Sequence, residues 1–130
     1  MSSSFRYWAE VLEVCDGQSL RLRVQLSAPL DLTVRLNGLR TAPLSSKAGQ
    51  AALNYIYGWL SEHAGSSEEG RHQVGLRTLV DLSGAKDGVY VGDVFATADR
   101  DDSLNNAMLV AGVAAGWERG AYPWPEDDHE

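Results

Sequence analysis

Between Ser19 and Leu26 apolar and polar residues alternate without a break. Leu20, Leu22, Val24 and Leu26 fall on one face, and Arg21, Arg23 and Gln25 on the other. A period of two is the period of a strand, so 19–26 is predicted to be a half-buried strand. Residues 5–15 alternate more loosely, Tyr7, Ala9 and Val11 against Trp8, Glu10 and Leu12, and predict a strand before it. "DGQS" at 16–19 joins the two as a tight turn. "SAPLD" at 27–31 is a second, Pro-containing turn. Beyond it Leu32, Val34 and Leu36 oppose Thr33, Arg35 and Asn37, which completes an antiparallel meander of three strands.

The period then changes. Leu53, Ile56, Tyr57 and Leu60 recur at the spacing of one buried helical stripe. Ser45 or Ser46 supplies its N-cap and Gly65 its C-terminal cap. After a polar loop at 66–70, "HQVGLRTLVDL" (72–82) and "GVYVGDVFA" (88–96) predict two more strands, joined by "SGAKD". The second of these is apolar on both faces for much of its length, as in a barrel strand packed on helices. A second helix is predicted from Ser103, with Leu104, Met108, Ala111 and Ala115 at helical spacing and Gly116 at its end. The order β-β-β-α-β-β-α predicts an α+β, mainly β fold: a five-stranded OB-type barrel with two packed helices. The barrel domain is assigned to 1–117, and 118–130 to a tail rich in proline, aromatic and acidic residues.

Composition narrows the class. At 130 residues, 44% hydrophobic and 22% charged, the chain suits one domain with its own core. A single cysteine, Cys15, excludes an internal disulfide and is expected to act as a small buried hydrophobe. No apolar run approaches a membrane span, and "MSSSFRYWAE" lacks the apolar stretch of a signal peptide. The expected location is the cytoplasm, and no membrane partner is expected. The net charge of −7 is uneven, +2 over residues 1–50 and −9 over 51–130. The acidic second half argues against tight nucleic-acid binding through the phosphate backbone. His63, His72 and His129, with or without Cys15, match no compact zinc spacing. No metal or cofactor is expected.

Four segments together resemble a known family, the staphylococcal (micrococcal) nuclease-like domains. "EVCDGQSLRLRV" is similar to that family's strand-DGD-strand, and "TVRLNGLRTAP" to its "VRLxGIDAPE" loop. "KDGVYVGDVFA" is similar to its "DKYGRxLAxV" hairpin, and "LNNAMLVAGVAAG" to its "VNxALVxxGLA" helix. The resemblance covers roughly residues 6–117 and implies a calcium-dependent phosphodiesterase ancestry. Such chemistry needs charged oxygen ligands for calcium and cations aimed at the phosphoryl oxygens. On the matching positions, the first metal carboxylate falls on Gln18. The second falls on Arg40, or on Thr41 if the extra residue is placed earlier. The general-base glutamate falls on Leu44 and one arginine on Val89. Only the other arginine is kept, as Arg35. The resemblance therefore implies a pseudoenzyme.

Two surfaces remain as binding candidates. Arg21, Arg23 and Arg35 share one sheet face if the second and third strands pair, and OB-type barrels bind single strands near there. The competing reading is a solvated face with cross-strand partners such as Glu13. In the tail, Tyr122 and Trp124 lie among prolines and acids, as a docking peptide for a partner or as a solvated end. The leading expectation is a catalytically inactive barrel serving as a protein-interaction or assembly module. Small size and lost catalysis suit a phage or mobile-element origin, which would place it in a virion. The alternatives are a nucleic-acid-binding module, an acidic DNA mimic using residues 99–102 and 126–130, and a residual metal-dependent nuclease.

Overall fold

A computed structural model of the chain describes residues 4–96 and 103–116. The alternating segments become β1 (Phe5–Asp16), β2 (Ser19–Val24) and β3 (Leu30–Leu36), a meander with antiparallel pairing throughout. Then follow β4 (Leu39–Arg40), α1 (Lys47–His63), β5 (Gly65–Ser66), β6 (His72–Thr78), β7 (Val89–Phe95), α2 (Leu104–Ala111) and β8 (Ala115–Gly116). The strand order β1-β2-β3-β7-β6 closes through a β1–β6 ladder. Only the β3–β7 ladder is parallel within that ring. This is the expected OB-type barrel with two helices, and β5 extends the sheet on β6. β4 and β8 form a separate two-residue pair.

Inward positions fill the barrel. Leu20, Leu22 and Val24 meet Val34, Leu32 and Leu30 across the β2–β3 ladder, and Leu36, Val74, Leu76 and Val94 belong to the same core. Ala52, Ile56 and Leu60 from α1 and Leu104 and Met108 from α2 join the same core. The loose alternation of β1 has a cause: register shifts at Val11/Glu13 and Val14/Asp16 mark bulges, which keep Ala9, Val11 and Val14 facing in.

Several expected details differ. The buried stripe of α1 is Ala52, Ile56, Trp59 and Leu60, and Tyr57 is exposed. Small residues are selected on this face because α1 packs close to the chain before it. A Cβ on Gly49 would sit 2.0 Å from the Pro43 carbonyl oxygen. Ser46 is the N-cap, accepting from Gly49 N–H, while the C-cap is Ala64 in extended backbone and Gly65 opens β5. α2 stops earlier than expected, at Gly112 with φ of 77°, a left-handed cap that frees Ala115 to pair with Arg40. β6 ends at Thr78 rather than residue 82, because the Thr78 hydroxyl turns back to donate to the Val80 carbonyl at 2.6 Å. β7 is not apolar against helices on both faces: Val89 and Val91 are exposed. No helix among the described residues is long and apolar enough to cross a membrane.

Candidate functional site

Two regions near β3 stand out, and only the first was singled out in the sequence. The first is the "DGQS" turn. Asp16 Oδ1 accepts the Gln18 backbone N–H at 2.8 Å, which closes the turn locally. Gln18 Oε1 accepts the Thr41 backbone N–H at 3.2 Å, and the Gln18 carbonyl accepts Leu36 N–H at 2.8 Å. The amide side chain thus spans from one loop to the next, where a resident cation would otherwise need charged oxygens. Gly17 is required by close approach: a Cβ there would lie 2.7 Å from the Ala52 Cβ and 3.0 Å from Thr41 Oγ1. The turn is clamped against α1 and Thr41.

Arg35 lies beside this turn, as the ladder partner of Ser19 on β2 and Val91 on β7. Thr41 is buried next to Gln18, and Arg40 precedes it on β4. Leu44 is exposed, and Val89 lies on β7 opposite Thr33, two ladder positions from Arg35. Gln18, Arg35 and Thr41 thus lie near the C-terminal end of β3, where the Gln18 amide is hydrogen-bonded to Thr41, while Val89 faces the middle of the strand. Among the described residues no three His, Cys, Asp or Glu side chains converge. Cys15 is half-buried; that burial and the neighbouring charges of Glu13 and Asp16 push its thiol pKa up, away from a reactive thiolate.

The arginines do share an outward face, and most are engaged there. Arg21 makes a bidentate pair with Asp87 at 2.8 and 2.6 Å and also reaches Thr33 Oγ1. Arg23 pairs with Asp31 across the β2–β3 ladder at 2.7 and 3.1 Å. These hydrogen bonds hold the Asp31 and Asp87 carboxyls below the usual range and raise both arginines. Arg77 pairs with Asp93 at 3.1 Å, and Arg71 reaches Glu10 at 3.5 Å. Glu13, the expected partner, is opposite Arg21 in register, but Asp87 takes the guanidinium. Arg35 is exposed and makes no ion pair among the described residues.

The second region was not visible in the sequence. After β6 the chain peels away from β7, and the β6–β7 ladder runs only from Gly92 to Phe95. The opening is a groove of about 580 Å³ whose apolar lining is Leu79, Val80, Val89 and Val91. These four side chains are 55–68% exposed, an unusual concentration of large aliphatic surface. Its wall is braced. Leu82 is fully buried and its N–H donates to Tyr7 Oη at 2.9 Å; Tyr90 Oη donates to the Lys86 carbonyl at 2.7 Å; Asp87 is held by Arg21. Asn105, buried in α2, secures the far end. Its Oδ1 accepts Val94 N–H, and its Nδ2 donates to the Asn37 and Gly92 carbonyls. Asn105, one of two asparagines near the start of an otherwise apolar helical stretch, was the available signal for it.

Tyr122, Trp124, His129 and the acids at 99–102 and 126–130 lie outside the described residues. Comparison with protein-family models gives no match, and comparison with curated proteins gives none either.

Proposed function

We propose that this chain is a non-catalytic, nuclease-like barrel that binds polypeptide in the groove beside β7. The observation that carries the reading is the groove itself: four exposed aliphatic residues on braced walls, along a strand whose Val89–Val91 stretch has a ladder on one side only. Such an edge suits an extended segment, which gains main-chain hydrogen bonds from the strand and side-chain contacts from the walls. The turn at Gln18 supports the loss of catalysis, because its amide is spent on Thr41 N–H. The nucleic-acid reading would require Arg21 and Arg23 to release Asp87 and Asp31.

The test is photo-crosslinking in extract of the source cells, with the probe at Leu79 in the groove or at Leu44 outside it. Polypeptide adducts from Leu79 and none from Leu44 are expected; adducts from neither position would overturn the reading. A calcium or manganese nuclease assay accompanies it. Cleavage that disappears on Arg35→Ala would restore the enzyme reading.

A further inference from the structure

Beside Val89 and Val91 one edge of β7 is bare, and its hydrogen-bond directions define what can lie there. The Gly88 and Gly92 carbonyls accept Thr33 N–H and Asn37 N–H from the β3 side. By strand alternation the peptide groups of Val89 and Val91 face the other way, into the groove, and the β6 ladder does not begin until Gly92. Each of the two valines therefore presents one N–H and one C=O along the edge, the pattern that an added strand satisfies. At one end β6 closes the site, with Thr78 opposite Gly92 and Arg77 opposite Asp93. The occupant is a short extended run laid against residues 89–91.

Side chains on the outer face set its composition. In the β3–β7 ladder Thr33 lies beside Val89, and Arg35 lies beside Val91. An occupant residue opposite Val89 meets neutral surroundings. Thr33 Oγ1 already accepts from Arg21, whose guanidinium is held by Asp87. A residue opposite Val91 stands two strand spacings from Arg35, roughly 10 Å. An arginine and an acidic side chain can close that distance over the apolar Val91. Arg35 is exposed and makes no ion pair among the described residues. The charged residues that line the groove, Arg77 and Asp93, cancel each other at 3.1 Å. Asp81, outside the lining, is turned to Ser83 N–H at 2.9 Å. The rim charge left over is positive.

We propose that the groove selects an extended polypeptide segment carrying an aliphatic and an acidic residue two positions apart. The aliphatic side chain lies opposite Val89, and the carboxylate lies opposite Val91, against Arg35. This rests on the groove being a polypeptide-binding surface, and it adds which polypeptide the groove takes.

The experiment titrates end-blocked peptides into the isotope-labelled full chain and follows its amides by NMR. The probes are Thr-Val-Thr-Glu and Glu-Thr-Val-Thr, which cover both strand directions, and the same pair with Lys in place of Glu. Saturable shifts at Val89 and Val91 are expected, with Val34 and Leu76 unmoved. The better Glu peptide should bind about fivefold more tightly than its Lys counterpart, and Arg35→Glu should reverse that preference. Equal affinities, or a preference that survives Arg35→Glu, overturn the acidic selectivity, while shifts confined to the groove leave the broader reading standing. Shifts at Val89 and Val91 that follow the concentration of the chain alone make the occupant a second copy and overturn the proposal. It is also overturned if no peptide moves those amides at millimolar concentration. A polypeptide adduct from Leu79 then preserves the broader reading, and no adduct removes both.

Discussion

The "DGQS" turn and the groove beside β7 sit on either side of β3, and they are built on opposite terms. Around the turn, polar groups find partners inside the chain: Asp16 with Gln18 N–H, and Gln18 with Thr41 N–H. Along the groove, apolar side chains stay in water and one edge of β7 lacks a ladder before Gly92. A region that has satisfied itself is structural, because removing a member costs folding energy. A region left unsatisfied on a braced frame has most to gain from a ligand. On the proposed reading the working surface lies at the groove, away from the turn at Gln18 that the sequence resemblance highlights.

The contrast can be broken most severely under α1, where the clamped region begins. Gly49→Ala forces a methyl group against the Pro43 carbonyl, a backbone atom that cannot step aside. A loss of about 3 kcal/mol is expected in urea unfolding, despite alanine's better helix propensity. Asn105→Ala comes next, at about 2–3 kcal/mol, because the buried Val94 N–H loses its acceptor and the Asn37 carbonyl loses this donor. It should also loosen the groove's far end, visible as faster amide exchange at Gly92. Gln18→Ala is expected to cost about 1 kcal/mol, the worth of one part-buried hydrogen bond. On the other side of the comparison, Val91→Glu should change stability by no more than about 0.5 kcal/mol, as its side chain is already in water.

The smallest effect concerns the charged face. Asp31 has a folded pKa below its unfolded value, held down by the Arg23 hydrogen bond. Its contribution is therefore present above about pH 4, the unfolded value, and is lost as pH falls through the lower, folded one. In Arg23→Gln the Asp31 carboxyl should titrate closer to the ordinary value, read by its carbon chemical shift. Because the pair is solvent-exposed, the effect should fade with added salt.

How much was legible in the sequence follows the range of the forces involved. The alternation of Leu20, Leu22 and Val24, and of Leu32, Val34 and Leu36, is a local pattern that directly reports which face is buried. It carried the meander, and the helical spacing of Leu53, Ile56 and Leu60 and of Leu104 and Met108 carried both helices. The buried face of α1 was rotated because a hydrophobic stripe ignores small residues, while close packing against Pro43 and Gly17 selects Gly49 and Ala52. Gly112 rather than Gly116 ends α2, since only the chain's return to β4 decides which glycine takes the left-handed cap. At the turn, Gln18 was identified as the wrong residue for a metal. Its actual partner lies 23 residues away and is not encoded locally. The arginine face was placed, but Asp87, 66 residues from Arg21, was not foreseen as its partner. The groove depends on where β6 stops, which one side-chain hydrogen bond at Thr78 decides.

The most direct test compares crosslink yield from a photoreactive side chain at Leu79 in two backgrounds, Gln18→Ala and Val91→Glu. A structural turn and a binding groove predict full yield in Gln18→Ala and loss of the adduct in Val91→Glu. Loss in Gln18→Ala with full yield in Val91→Glu, both chains folded, would contradict that division and return the working surface to the turn.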